Sequence, residues 1–169
     1  VIIRGFSTNR LGVEETIATQ FASEGIEAVK SIKNQAYTNL TSLTNANRGI
    51  NRPTDVWTFL GDGTNNILNS GKNYTRTIRV ENVNRDASGN IVSTGGTTDP
   101  DTKKVTSTVN WDFNSARPES VVLTTYLSDW RKAITNVGDA ILVYLDNTST
   151  STDDQPEYRT YTDSSNSFG

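Results

Sequence analysis

The amino-acid sequence predicts an α+β fold in which a long N-terminal α-helix packs on an antiparallel β-sheet, with extra strands at the C-terminal end. Between Val13 and Leu43, apolar residues recur every three or four positions, which is the period of an amphipathic helix. Three later segments instead alternate apolar residues with Thr, Ser, Arg or Lys, as strands covered on one face do. With 169 residues, the chain is predicted to form a single domain, 1–169.

The N-terminal helix is predicted to run from about residue 7 to about residue 36, a length of about 45 Å. Its pattern is clearest from Leu11 to Ala36, and we assign 1–37 to a helical stalk. A helix this long exceeds what one modest sheet covers, so part of its apolar stripe is expected to protrude or to meet another subunit. The stripe includes Ile17, Phe21, Gly25, Val29 and Ile32.

Gly25 is an unusual residue for the middle of this stripe, because glycine in a helix costs about 1 kcal/mol relative to alanine. It lies near Ala18, Ala22 and Ala28, so the helix carries a patch of small residues. Two explanations are open. Another backbone could approach closely at this patch, or Gly25 could fit under a bulky residue of the chain's own sheet.

Residues 38–131 are predicted to contain a loop followed by the sheet. The segment 38–72 is rich in Asn and Gly and predicts an irregular loop. It is interrupted by the apolar island VWTFL at 56–60, which is interpreted as a short strand or a plug over the core. The strands are predicted in TRTIRVENV, KKVTSTVNWDF and ESVVLTTYL. The first two are separated by a long exposed connection, in which a small hairpin is expected around residues 90–92.

Residues 132–169 are predicted to form a variable C-terminal extension. The apolar run AILVYLDN at 140–147 is suited to a strand, and the alternation around Tyr158 and Thr160 allows a final edge strand.

The composition argues against an enzyme and predicts no cofactor or metal. The chain has no histidine and no cysteine, so it lacks the commonest general base, the commonest metal ligand and a thiol nucleophile. Glu24 and Glu27 share a helix face but are expected to be solvated charges. A group of oxygen-bearing residues in the long connection could bind calcium, but turn formation is the favoured interpretation; these are Asp86, Asn90, Asp99 and Asp101.

The charge distribution gives no strong signal for nucleic-acid binding. The net charge is −3, so binding would need a local basic stripe. The best stripe contains Arg76, Arg79 and Arg85, but Glu81 interrupts it. We therefore expect a solvated strand face.

Two parts of the sequence resemble the type IV pilins and the related pseudopilins. Residues 9–35, and above all the segment ASEGIEAVKSIKN, look like the membrane-distal half of a pilin helix. The segments TRTIRVENVNRDASGNIVSTGGTTDPDTKKVTSTVNWD and SVVLTTYLSDWR are similar to the sheet region of the same proteins. The resemblance covers roughly residues 7–131.

The leader typical of that family is missing. Pilins carry a basic peptide ending in glycine, then phenylalanine and an apolar run with a glutamate five residues in. Gly5 and Phe6 imitate that start, but Arg10 stands where the glutamate belongs and no apolar run follows. We expect the membrane half of the helix to lie upstream of Val1 or to have been removed.

The resemblance implies a structural subunit of a type IV pilus-like filament at the cell surface, assembled through the N-terminal helix. Its partners would be other copies of itself or related pilins and the pilus assembly machinery, with membrane contact only through the missing upstream segment. Adhesion, motility and DNA uptake are all compatible outcomes. The residues implied in assembly or helix packing are Ile17, Phe21, Glu24, Gly25, Val29 and Ile32.

Two other functions are open. A pseudopilin of a type II secretion-like apparatus would have the same parts. A stand-alone surface module that binds carbohydrate or protein would need a tryptophan exposed beside a groove, with Trp57, Trp111 and Trp130 as the candidates.

Overall fold

The computed structural model describes residues 2–41 and 46–131, together with the strands at 140–144, 157–162 and 167–168. The chain forms two compact units, Val1–Asp129 and Trp130–Gly169. The first unit contains the helices α1 (Ile2–Gln35) and α2 (Thr38–Thr41) and the strands β1 (Ala46–Asn51), β2 (Thr58–Asp62), β3 (Asn65–Asn69), β4 (Lys72–Arg85), β5 (Ile91–Val92), β6 (Thr97–Asn114) and β7 (Arg117–Ser128). The second unit contains β8 (Ala140–Tyr144), β9 (Glu157–Thr162) and β10 (Ser167–Phe168). The predicted α+β class is confirmed.

The sheet of the first unit is antiparallel and is built around β4 and β6. Its main order is β2-β1-β4-β6-β7, and β3 and β5 also pair with β4. The β4–β6 register runs from Tyr74 opposite Trp111 to Arg85 opposite Thr97. This register shifts between Asn82 and Val83, so the ladder has a bulge near that end.

Helix α1 lies along one face of this sheet and runs antiparallel to β6. Arg10 bonds the carbonyl of Phe113, Gly25 lies against Ser107, and Tyr37 bonds the carbonyl of Pro100. The core fills the space between helix and sheet. Its fully buried residues come from both layers and include Ala18, Ala22, Ala28, Val29, Ile78, Val80, Val105 and Val109.

The segment predicted as an irregular loop, 38–72, contains α2 and three strands, so the loop prediction is wrong. The short strand predicted in VWTFL is confirmed in part by β2, which begins at Thr58. The Asn-rich strands of this segment gain their ladder hydrogen bonds from β4, and tertiary pairing overrides weak strand propensity. Asn65 shows how an amide side chain helps. Its Oδ1 accepts a bond from the Ile50 N–H and its Nδ2 donates to the Ile50 carbonyl, both at 2.7 Å.

The connection between β4 and β6 is shorter than the sequence pattern predicts, because both strands extend farther than expected. The hairpin expected around residues 90–92 is confirmed as β5, which pairs with the end of β4. Asp86 closes its turn by accepting bonds from the N–H groups of Ser88 and Asn90 at 2.9 and 2.8 Å. Asp99 instead accepts a 2.6 Å bond from Arg85.

The second unit is a three-stranded antiparallel sheet in the order β10-β9-β8. The strand predicted in AILVYLDN is confirmed for Ala140–Tyr144, while residues 145–147 lie outside the described residues. A strand near Tyr158 is confirmed as β9, but its predicted place as a final edge strand is wrong, because β9 lies between β8 and β10.

Candidate assembly surface

Gly25 lies where α1 comes closest to the sheet. A Cβ atom at this position would stand 2.5 Å from Ser107 Oγ and 2.9 Å from Ile78 Cδ1, both closer than atoms pack in proteins. The helix therefore needs a glycine here to approach its own sheet. Of the two explanations open at the level of sequence, the structure provides the bulky strand neighbour.

Gly25 also leaves space for the side chain of Arg76. This arginine is buried, and its Cδ lies 3.2 Å from the position of a Gly25 Cβ. Its guanidinium Nη1 donates to the Phe21 carbonyl and to Glu24 Oε2, both at 3.0 Å. The missing side chain thus leaves room for an arginine to cross from β4 to α1. Glu24 is the partly exposed partner that neutralises it.

The rest of the small-residue patch also faces the sheet. Ala18, Ala22 and Ala28 are fully buried, as is Val29, and Ile32 is nearly so. Val29 and Ile32 belong to the core cluster formed with Ile78, Val80 and Val105. These helix positions are occupied by the chain's own strands, so a neighbouring subunit has no access to them without unfolding the first unit.

Ile17 and Phe21 are only partly buried. Both pack against the cluster of Ala18, Ala22, Tyr74, Val109 and Trp111. The Phe21 ring meets the Tyr74 ring edge-on, with 5.4 Å between centroids. Part of each side chain therefore remains at the surface beside α1.

Glu14 is a site residue that the sequence analysis missed. Its carboxylate is buried and accepts three bonds: from Arg10 Nε at 2.8 Å, from Lys72 Nζ at 2.7 Å and from Trp111 Nε1 at 3.1 Å. Burial alone would raise the pKa of Glu14, but the bonds from Lys72 and Arg10 outweigh it and hold the pKa below its usual value of 4.5. At neutral pH the carboxylate is charged.

The Glu14 cluster joins α1 to the ends of two strands. Lys72, the first residue of β4, also donates to the carbonyls of Asp112 at 2.8 Å and Phe113 at 3.3 Å, near the end of β6. Arg10 donates to the same Phe113 carbonyl at 3.1 Å. The orientation of α1 at this end of the sheet is therefore fixed by charge-assisted bonds as well as by packing.

A groove of about 640 Å³ lies beside the Glu14 cluster, between α1 and the β3–β4 turn. Val13, Ile17 and Tyr74 form its apolar part, and Lys72 and Ser70 lie at its other side. Val13 is 54% exposed although it belongs to the apolar stripe. This groove is the part of the stripe that the sheet leaves open.

Helix α1 continues beyond the cluster toward the N-terminus. Arg10 is level with Phe113, one residue before β6 ends, whereas α1 begins at Ile2. The backbone from Ile2 to Asn9 adds eight residues, or about 12 Å of helix. The described helices include none that is long and apolar enough to span a bilayer.

The three arginines of the predicted basic stripe do not form a common solvated face. For Arg76 that prediction is wrong, because its side chain is buried under α1. Arg79 pairs with Glu81 at 3.1 Å and Arg85 pairs with Asp99 at 2.6 Å. Each of the three charges is thus matched by a carboxylate.

The three tryptophans have different environments. Trp111 is 4% exposed and donates to Glu14, so it is a core residue. Trp57 packs partly buried against the core, with the Arg52 guanidinium 5.7 Å from its ring. Trp130 is 68% exposed at the start of the second unit, next to Arg131. The tryptophan-based binding module predicted as an alternative gains no support from Trp111 or Trp57.

Comparison with known proteins finds no matching family model, no matching curated protein and no matching solved structure. Within the described ranges, no group of three or more acidic residues is placed to hold a metal ion.

Proposed function

We propose that this chain is the head of a structural subunit of a type IV pilus-like extracellular filament, which assembles through its N-terminal helix. The observation that carries the proposal is the division of α1 into two parts. From Arg10 onward, side-chain bonds and packing fix the helix to the sheet, and the helical backbone continues from Asn9 back to Ile2, beyond the level of Phe113 near the end of β6.

The fixed part of α1 supports this function because it holds the helix at a set angle. Arg10, Lys72 and the Trp111 indole N–H all bond Glu14. Farther along the helix, Arg76 bonds Glu24. In a helix held in this way, the direction of the N-terminal segment is fixed relative to the whole head, and repeated contacts between identical heads then follow the same geometry.

The exposed apolar residues support contacts with a second copy. Val13 and the open sides of Ile17 and Phe21 continue the apolar stripe toward the N-terminal segment 2–9, whose sequence is IIRGFSTN. A patch on one side of a helix that meets a different surface of the next copy makes a heterologous contact. Contacts of this kind that do not close into a ring produce filaments.

The proposal assigns different roles to the predicted assembly residues. Gly25, Val29 and Ile32 build the head, and Glu24 neutralises Arg76 within it. Contact with neighbouring subunits falls to Val13, Ile17 and the segment 2–9. The outer face of the sheet points away from α1 and remains at the filament surface.

Cysteine labelling tests the proposal, because the natural chain contains no cysteine. Val13→Cys places a thiol on the open side of α1, and Val122→Cys places one on the outer sheet face as a matched control. The two valines have similar exposure, 54% and 57%. Both variants are expressed in the organism that carries the gene, and filaments sheared from the cells are treated with a maleimide dye.

We expect both thiols to react in the isolated soluble chain. In sheared filaments, the thiol of the Val13→Cys variant is expected to be protected, and the thiol of the Val122→Cys variant is expected to remain reactive. If the chain is missing from the sheared filaments, or if both thiols label equally there, the filament proposal is wrong.

A further inference from the structure

A second groove crosses the sheet on the face opposite α1. It has a volume of about 700 Å³ and lies over the β4–β6 bulge. Its lining comes from β4, β5, β6 and β7 and includes Glu81, Asn84, Ile91, Thr98, Lys104 and Tyr126. Their strand neighbours Val80, Val105 and Leu127 point the other way, into the core under α1.

The bulge and the β5 hairpin create this concavity. The register shifts between Asn82 and Val83, where residues 100–102 of β6 have no partner on β4. Val83 is buried and lines the groove at this point. The β5 hairpin then forms one wall. Gly96 holds it close, because it has a φ of +72° and a Cβ there would stand 2.5 Å from the Arg85 carbonyl oxygen.

Two charged residues line the groove, and their charges are opposite in sign. Glu81 is the carboxylate, and its Oε2 lies 3.6 Å from the ammonium of Lys104, while its Oε1 lies 3.1 Å from Arg79 Nε. An anionic ligand would meet the Glu81 carboxylate, and a cationic ligand would meet Lys104. The groove therefore favours a neutral polar molecule.

The uncharged polar groups in the groove are held in fixed orientations. Asn84 Nδ2 donates to the Gly95 carbonyl at 2.9 Å, and Asn84 Oδ1 accepts from Thr98 Oγ1 at 3.1 Å. Each of these side chains keeps further hydrogen-bonding capacity, since an amide oxygen has two lone pairs and a hydroxyl oxygen also accepts. Oriented amide, hydroxyl, carboxylate and ammonium groups are suited to a ligand that carries several hydroxyls.

Apolar surface flanks these polar groups. The Tyr126 side chain is 49% exposed on β7, and Ile91 is 41% exposed on the β5 wall. A tyrosine ring offers a flat apolar face with a polar end. The pyranose ring of a sugar has the matching character, with C–H groups on its faces and hydroxyls around its edge.

We infer that this groove binds a neutral carbohydrate, with a sugar ring against Tyr126 and its hydroxyls bonded to Asn84, Thr98 and the Glu81–Lys104 pair. Such a site fits the usual pattern of ligand sites, in which a few oriented polar groups combine with apolar surface. The inference does not depend on filament assembly. It assigns a binding activity to the outer face of the sheet, whether or not the chain polymerises.

Saturation-transfer NMR on the full soluble chain tests the inference with four neutral disaccharides: lactose, maltose, cellobiose and N,N′-diacetylchitobiose. We expect at least one to receive saturation and to shift the backbone amide signals of Asn84, Thr98 and Lys104. Tyr126→Ala is expected to weaken that binding about tenfold or more, whereas Tyr126→Phe keeps the ring and should keep most of the affinity. Val122→Ala, four residues away on the same face of β7, is the matched control and should bind as the natural chain does.

Sialyllactose serves as the charged comparison for lactose. The inference is wrong if none of the four neutral sugars perturbs the groove signals, if Tyr126→Ala and Val122→Ala bind equally well, or if sialyllactose binds more tightly than lactose. The maleimide experiment on sheared filaments is independent of this result, so failure of one proposal can be told apart from failure of the other.

Discussion

Replacing Gly25 with alanine tests whether this glycine serves the chain's own fold or a neighbouring subunit. Gly12 provides a matched control in the same helix, because among the described residues no atom outside the adjoining helix backbone lies within 4 Å of where its Cβ would be. Both substitutions give α1 the same intrinsic benefit of alanine over glycine, about 1 kcal/mol. Any difference between the two variants therefore comes from the surroundings of Gly25.

The expected difference follows from the contact distances. An alanine Cβ at position 25 would overlap Ser107 Oγ at 2.5 Å and Ile78 Cδ1 at 2.9 Å, whereas carbon atoms pack best at about 3.5–4.0 Å. Inserting a methyl group into a filled core costs about 1–3 kcal/mol. Gly25→Ala should thus range from neutral to about 2 kcal/mol destabilising, while Gly12→Ala should stabilise by about 1 kcal/mol.

Urea unfolding of both variants measures this difference in the free energy of unfolding, and thermal unfolding should show it as roughly 2–4 °C per kcal/mol. A second comparison places Gly25→Ala in a Ser107→Ala background. Ser107 Oγ is buried and has no hydrogen-bond partner among the described atoms, so its removal should cost little and should relieve the closest overlap. Equal stabilisation by Gly25→Ala and Gly12→Ala would show that the sheet does not require a glycine at position 25, and the small-residue patch would then be available to another subunit.

Two further predictions concern pH. Glu14→Gln should destabilise the fold at neutral pH by about 1–3 kcal/mol, because the bonds from Lys72 and Arg10 outweigh the effect of burial and hold the pKa of Glu14 below 4.5. The contribution of Glu14 to the free energy of unfolding is present above pH 4.5 and is lost as the pH falls through the lowered pKa. Urea unfolding curves of the variant and the natural chain should therefore converge well below pH 4.5. A difference in unfolding free energy that stays constant with pH would contradict this. Burial, with repulsion from Asp101, raises the pKa of Tyr37 to about 12 from 10.0, so its contribution to stability should be complete below pH 10.0 and lost as the pH rises toward 12. Tyrosinate absorbance of Tyr37→Phe should lack one ionisation near pH 12, and a missing ionisation near pH 10 would contradict the assignment.

The regular elements of this protein were largely predictable because each leaves a periodic pattern. The stripe containing Ile17, Phe21, Val29 and Ile32 predicted α1, and alternation predicted most of β4, β6 and β7. Strands β1 and β3 were not predicted. Their sequences are polar and rich in Asn, and they exist because β4 offers hydrogen bonds along its other edge.

The roles of the predicted site residues could not be predicted from the sequence. A periodic pattern indicates that one face of a helix is buried, but it does not indicate which residues cover that face. Gly25 was identified as unusual, yet its neighbours Ser107 and Ile78 lie on strands far along the chain. Glu14 was not identified at all. Its partner Trp111 is 97 residues away, and a glutamate in a helix with other acidic residues gives no local sign of burial.

The sequence by itself determined the α+β class, the long first helix, the position of the C-terminal strands and the absence of histidine and cysteine chemistry. These features follow from composition and from the spacing of residues that are close together in the sequence, because that spacing determines which segments form helices and strands. The tertiary structure alone decided that Gly25 meets the chain's own sheet, that Glu14 joins α1 to β4 and β6, and that a bulge opens a groove beside Tyr126. Each of these depends on atoms brought together from distant parts of the chain, and no local pattern encodes such distances.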